Sequence, residues 1–383
     1  MVPGLVDAAS PPPVHWSADH VAAITAAPLP AAPLFSTADF ARVREDIDIW
    51  DAWPLQLADG TPARLGADGG DTLWMALAAP PHPDPDARHG VARIHLLRQR
   101  QGAWAHIGPA MPDGFSPGSR EWSGSALLDP DSAAVTLYFT ATGRRGEAIL
   151  TFEQRLFQAT ATLDQAGGYR LIDWRGLRPV VVADPRHYMP SDAGTGTIGS
   201  IKAFRDPAYF RDPADGSHHL FFAASLVGSG AAFNGAIGTA AAPAGDREDW
   251  RLLPPLIGAD GLNNELERPH AVFHAGLYYL FWSTQAHVFA PGGPAGPTGL
   301  YGMASPRLAG GWRPLNGTGL VFANPADAPK QAYSWLVLPD LSVTSFVDQW
   351  GADAASVSPP RFGASFAPTL HIELDGYTAR LAG

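Results

Sequence analysis

The chain contains no cysteine. Disulfide staples, thiol nucleophiles and thiolate metal sites are therefore excluded, while the compartment stays open, because disulfide-free proteins occur on both sides of a membrane. Charge is also scarce, at 16% of residues, and it leans acidic: 26 Lys and Arg against 37 Asp and Glu leave a net charge of −11. Nucleic-acid affinity comes from cations meeting phosphate, so a polyanionic partner fits poorly and a neutral substrate fits better. No apolar run approaches the ~20 residues of a membrane span. Residues Met1 to Ser10 lack both a basic segment and a continuous apolar stretch, so no classical export signal is expected.

What the chain has instead is turn formers and aromatics, with 41 Gly, 37 Pro and 12 Trp in 383 residues. Gly and Pro both disfavour helix interiors, so many short strands are expected. Proline- and alanine-rich stretches (26–33, 79–85, 290–297) read as loops, and no charge block or low-complexity tail marks a linker. The chain thus reads as one domain over residues 1–383, the first ~30 residues forming an extended or shortly helical arm. Five aliphatic and aromatic runs (72–78, 134–141, 219–224, 277–282 and 342–347) are bounded by turn residues and predict strands. They recur about every 60 to 85 residues, room for four short strands and their turns. Five such units suggest an all-β, five-bladed propeller with a central pocket, with a β-sandwich or a two-domain β protein as alternatives.

Three segments place a carboxylate beside an aromatic or arginine and a proline: Trp50-Asp51-Ala52-Trp53-Pro54, Phe204-Arg205-Asp206-Pro207 and Glu265-Leu266-Glu267-Arg268-Pro269. Glycoside cleavage needs two carboxylates, one as nucleophile or base and one as acid, and arginine supplies planar recognition of hydroxyls or of a second carboxylate. Taken singly, the second segment is commonly a turn with a capping Asp, and the third a solvated strand edge. The first is harder to dismiss, because two tryptophans around one Asp press a charge against apolar surface. Their joint occurrence favours sugar chemistry.

Other motifs fail on their own chemistry. Gly114-Phe115-Ser116-Pro117-Gly118 matches G-x-S-x-G, but the residue after the nucleophile must donate its N–H and here is proline. The G-x-G-x-x-G at 194–199 lacks a preceding buried strand and a following helix, and reads as a loop. His270 and His274, in a β pattern, would stand roughly 13 Å apart and cannot share a metal; they read as structural.

The ordered set of motifs resembles the bacterial fructansucrases of glycoside hydrolase family 68, which include levansucrases, inulosucrases and β-fructofuranosidases. It runs from Ile47-Asp48-Ile49-Trp50-Asp51-Ala52-Trp53-Pro54 through Glu121-Trp122-Ser123-Gly124-Ser125, Phe204-Arg205-Asp206-Pro207 and Glu265-Leu266-Glu267-Arg268-Pro269 to Gln331-Ala332-Tyr333-Ser334. The resemblance implies a five-bladed propeller, with Asp51 as nucleophile, Glu267 as general acid/base and Asp206 as transition-state stabiliser. It implies further that Trp50 and Trp122 wall the sugar, that Ser123 bonds near the nucleophile, that Arg205, Glu265 and Arg268 bind the glucosyl half, and that Tyr333 joins their network. Asp51 should be ionised while Glu267 keeps a proton, their surroundings pushing the two pKa values apart.

Departures from the family pattern touch the rim. Asn264 stands where many Gram-positive members carry an acidic calcium ligand, so no metal or other cofactor is expected. Tyr279-Leu280-Phe281-Trp282-Ser283-Thr284-Gln285-Ala286-His287 lacks a loop arginine and is similar to the Gram-negative branch, with Gln285 or His287 facing the acceptor; Ala223 stands where a glutamate is often found. The implied activity is retaining fructosyl transfer from sucrose to fructan, sucrose or water, levansucrase-type first and a hydrolysing or short-oligosaccharide-forming β-fructofuranosidase or inulosucrase second. A non-catalytic fructan-binding propeller is the reading from another class, and it would not need both Asp51 and Glu267. Sucrose and fructan acceptors are the expected partners, with no nucleic acid and no membrane, and the resemblance implies an extracellular or periplasmic location.

Overall fold

The computed structural model describes residues 12–25, 29–193, 200–350 and 362–382. The glycine-rich stretch 194–199 lies outside these.

The described chain folds into five antiparallel meanders, each opening with a strand that lines a common centre. The innermost strands are Asp48–Gln56, Arg120–Asp129, Phe204–Arg211, Glu267–His274 and Ala332–Val337. Each of the five apolar runs expected from the sequence is the second strand of its meander: Asp71–Ala79, Ala134–Thr142, His218–Ser225, Leu277–Thr284 and Ser342–Gln349. These strands are mostly buried on both faces, which is why they read as continuous hydrophobic stretches rather than as alternation. The first and second meanders are joined by a short parallel pairing, Leu55 with Ala126 and Gln56 with Leu127. In the fourth and fifth the outer part is split, since Arg313–Pro314 and Leu320–Ala323 share one partner strand, as do Phe362–Phe366 and Leu370–Asp375.

The N-terminal arm runs outside the ring. Val14–His15 adds a parallel edge to the third blade, and the short helix Ala18–Ala22 follows. Trp16 is fully buried between Trp282, Phe289 and Tyr301, and its indole N–H donates to the Thr318 carbonyl at 2.9 Å. Further along, Ala31 bridges Ala323, and Gln331 bonds the backbone of Pro33 and Phe35. The arm therefore ties the third, fourth and fifth blades together with hydrogen bonds and a Trp anchor worth a few kcal/mol of apolar burial.

One local device recurs on the inner strands. All five slip register midway: between Trp50 and Trp53, Trp122 and Gly124, Arg205 and Ala208, Glu267 and His270, and Tyr333 and Leu336. In four of them the slip contains a non-glycine residue with left-handed backbone: Asp51 (φ 50°), Asp206 (64°), Arg268 (48°) and Ser334 (63°). A bulge of this kind leaves backbone groups without ladder partners and re-aims a side chain. Neighbouring blades satisfy those groups. Ser125 Oγ donates to Pro207 O at 2.9 Å and accepts from Tyr209 N at 3.0 Å, while Ser283 Oγ accepts from Trp335 N at 2.9 Å. The strain of these positions, of order 1 kcal/mol each, is thus held by the ring closing around them.

Candidate active site

The bulges turn their side chains into a cavity of about 470 Å³ at one end of the central channel. Asp51, Asp206 and Glu267 line it from the first, third and fourth blades, and so do Trp50, Trp122, Ser123, Arg205, Glu265, Arg268, Gln285, His287 and Tyr333. Every residue that the resemblance implies as catalytic or substrate-binding is therefore brought together. Asp206 and Arg268 also border a smaller cavity of about 250 Å³, lined by later residues of the same strands, among them Gln56, Tyr209 and His270.

Asp51 is held lightly. Ser123 Oγ donates to its Oδ2 at 3.0 Å. Thr140 connects this side to the third blade, its hydroxyl donating to Ser123 O at 3.1 Å and accepting from Asp206 N at 2.9 Å. The walls are aromatic: Trp50 lies edge-on to the His89 ring at 5.7 Å, and Trp122 Nε1 donates to the His89 carbonyl at 3.2 Å. Among the described residues the buried indole N–H of Trp50 has no acceptor.

Around Glu267 the picture is one of charge. Arg205 donates to Glu267 Oε1 at 2.8 Å and to Glu265 Oε2 at 3.2 Å, and its Nε lies 3.6 Å from Asp206 Oδ2. Tyr333 donates its hydroxyl to Glu267 Oε2. Arg268 donates to Ser334 Oγ at 2.7 Å and to Ala52 O at 2.8 Å, so it spans the bulges of the first and fifth blades. His270 fixes Arg268 from behind, its Nδ1 against Arg268 O at 2.9 Å and its Nε2 accepting from Val337 N at 2.8 Å. Those two backbone contacts define a neutral tautomer, and burial pushes the imidazole down to about 4. This is the structural role expected for His270.

Protonation follows from crowding. Burial raises Asp206 to about 7 against the pull of Arg205, and burial with the neighbouring Glu267 raises Glu265 to about 7 as well. Glu267 is buried too, but the Arg205 charge and the Tyr333 hydroxyl outweigh that and hold it below its ordinary value. The protein surroundings of Glu267 therefore push in the opposite direction from the sequence expectation. Both its oxygens accept from donors, so within this cluster protonation is favoured on Glu265 and Asp206 over Glu267.

At the rim, Gln285 caps the short 3-10 turn Ala286–Val288, which presents an exposed His287. Partial desolvation by the pocket wall and the neighbouring Lys330 charge lower the His287 imidazole, which favours its neutral form. Several lining residues belong to no sequence motif. Arg88 stacks over Trp50 at 5.2 Å and over Phe362 at 4.1 Å, and Asp348 is pushed up to about 6 by burial although Arg88 opposes it. Ser116 instead accepts from Gly118 N at 3.2 Å as a turn hydroxyl, in keeping with its rejection as a nucleophile.

Comparison with known proteins adds the family context. The profile described as Levansucrase/Invertase matches residues 5–232 and 226–381. A levansucrase of Pseudomonas syringae pv. actinidiae is 34% identical over 405 residues, covering 95% of this chain and 89% of that protein. A levansucrase of Rahnella aquatilis is 32% identical over 378 residues, covering 88% of this chain and 87% of its own length. Among solved structures, the inulosucrase from Halalkalicoccus jeotgali bound to kestose superposes with a TM-score of 0.87 at 36% identity, covering 97% of this chain and 95% of that one. The levansucrase from Gluconacetobacter diazotrophicus shares the fold, with a TM-score of 0.81 at 23% identity over 97% of this chain and 90% of that one.

Proposed function

The chain belongs to the levansucrase and invertase family of glycoside hydrolases, and from that premise we propose how its residues divide the work of fructosyl transfer. It is a levansucrase-like fructosyltransferase acting on sucrose and fructan acceptors. Asp51 attacks the anomeric carbon of the fructosyl unit. The glycosidic bond breaks, Glu267 gives its proton to the departing glucose oxygen, and a fructosyl-Asp51 ester remains. Glu267, now ionised, takes a proton from the acceptor hydroxyl or water that attacks the same carbon and frees Asp51, so configuration is retained.

The observation that supports this assignment is the convergence of Asp51, Asp206 and Glu267 from three blades on one cavity, where the Arg205 guanidinium meets Asp206, Glu265 and Glu267. Asp206 meets the fructosyl hydroxyls, Trp50 and Trp122 wall the ring, and Arg205, Glu265 and Arg268 receive the glucosyl half, with Tyr333 in the same network. To act as an acid, Glu267 must first gain a proton that its free-state partners oppose. Entry of substrate hydroxyls between Arg205, Tyr333 and Glu267 relieves that opposition, because the donors then have other acceptors. No metal or cofactor takes part. Gln285 and His287 orient the acceptor.

Residues 1–383 act as a single catalytic domain with the N-terminal segment as its arm, and the enzyme works outside the cytoplasm. Among the described residues no helix is long and apolar enough to cross a membrane. The product is levan-type in this reading; similarity to the Halalkalicoccus jeotgali inulosucrase keeps inulin-type linkage as the second. Incubation with concentrated sucrose tests the function: glucose release should exceed free fructose, the difference appearing as transfer products whose linkage is read by NMR. Equal glucose and fructose at every concentration would leave a hydrolase only, and no release would overturn the reading. Fractionation of the producing cells tests the location.

A further inference from the structure

Lys202 carries a buried charge that the reaction above does not use. It is 6% exposed and sits just before the inner strand of the third blade. Its ammonium donates to Ala232 O at 2.6 Å and to Asn234 Oδ1 at 2.8 Å, and reaches Asn264 Oδ1 at 3.4 Å. Both amides are oriented by a second contact: Asn234 Nδ2 donates to Leu226 O at 2.7 Å and Asn264 Nδ2 to Ile201 O at 3.1 Å. Each amide oxygen is thereby left for the cation. Gly235 N donates to Asn263 O at 2.8 Å, and a Cβ at Gly235 would come within 2.8 Å of the Asn264 backbone, so the loops that supply these oxygens are pressed together. A buried ammonium keeps its charge only where such oxygens replace its water.

The cradle leads to the site. Asn263 Oδ1 accepts from Glu265 N at 2.8 Å, and Asn264 Nδ2 approaches Glu265 Oε1 at 3.5 Å. Glu265 then meets Arg205, which meets Glu267. We propose that Lys202 is a positioning residue: a tethered cation that locks the Asn263-Asn264-Glu265 turn, so that Glu265 and Arg205 are presented to the glucosyl half of the substrate. Lys202 touches no reacting atom. Were its ammonium removed, three oxygens among the described residues would face a space of the size and chemistry of a small monovalent cation.

This inference rests on the fructosyl-transfer reading, so the test has one arm that needs no turnover. Thermal unfolding of full-length Lys202→Ala is compared in ammonium, potassium and tetramethylammonium chloride at equal ionic strength. Ammonium or potassium should raise its melting temperature over tetramethylammonium, which is too large to enter, while the wild type should not distinguish the salts. A variant indifferent to the cation would overturn the cradle. In the kinetic arm, Lys202→Met, which keeps the aliphatic stem, should lose about tenfold or more in kcat/KM on sucrose but stay within about threefold on β-fructosyl fluoride, which has no glucosyl half to bind. Equal losses on both substrates would make Lys202 merely structural. Failure of the wild type to release glucose from sucrose would count against the proposed function alone, because the salt arm would still report on the cradle.

Discussion

The two carboxylates assigned to the bond-breaking step live in unlike halves of one cavity. On the Asp51 side the walls are indole and imidazole, one serine hydroxyl touches the carboxylate, and among the described residues Asp51 enters no ion pair. On the Glu267 side a guanidinium and a phenol occupy both oxygens, and two more carboxylates crowd the same arginine. A nucleophile must keep a lone pair free, so light tethering suits it. An acid must exchange a proton twice per cycle, and a cluster with more carboxylates than guanidiniums stores one nearby. The contrast matches the proposed division of labour, electron-pair donation in one half and proton traffic in the other.

The most severe way to break that contrast is to remove one carboxylate from each half. Asp51→Asn should lower turnover by roughly four or more orders of magnitude on sucrose and on β-fructosyl fluoride alike. Glu267→Gln should be nearly as damaging on sucrose yet much milder on the fluoride, whose leaving group needs little protonation. Equal damage by Glu267→Gln on both substrates would remove it from proton traffic.

Next in size is the charge burden itself. Asp206 titrates near 7 when folded and near 3.9 when unfolded, so the native state binds its proton more tightly. Its contribution is present in full below about pH 4 and is lost as pH rises through about 7. Asp206→Asn escapes that loss and should be more stable than the wild type at pH 8 by about 1–3 kcal/mol, with little difference at pH 4, while losing most activity. Melting curves at the two pH values decide it; a constant difference would mean that Asp206 carries no proton near neutrality.

Smaller effects separate the halves further. Tyr333→Phe removes a donor that stabilises ionised Glu267, so the high-pH limb of kcat/KM should move to higher pH. Ser123→Ala removes the bond to Asp51 and should cost about ten- to a hundredfold in rate without moving that limb. A limb that moves in both variants, or in neither, would erase the distinction. Smallest is the rim: His287→Ala should leave sucrose consumption within about threefold while lowering the ratio of transferred to free fructose, since an acceptor sugar must be held whereas water is abundant. An unchanged ratio removes His287 from the acceptor site.

The sequence made some of this legible and hid the rest for physical reasons. The second strand of each blade is buried on both faces and so announces itself as an apolar run, from Thr72 to Val347. The inner strands were visible only as motifs, because polar, left-handed and proline-bearing residues spoil the alternation of a strand. Arg88, Asp348 and Lys202 were invisible, since their meaning depends on partners far away in the chain, such as Trp50 for Arg88 and Asn264 for Lys202. The proton balance between Glu265 and Glu267 was equally out of reach, because it depends on where Arg205 and Tyr333 point.

The left-handed backbone at positions 51 and 206 also limits the alphabet available there. Asp and Asn tolerate that conformation, whereas longer and branched side chains do so poorly. Glu267 stands one residue before the left-handed Arg268 and escapes the restriction, and it is there that the longer acid occurs. Among near-isosteric replacements at 51 and 206, Asn is therefore the one that spares the backbone, and in the proposed mechanism it removes the charge that each position supplies. On the proposed mechanism, a single Asp-to-Asn exchange at either bulge would leave the fold and the sugar-facing walls in place and convert the catalyst into a binder.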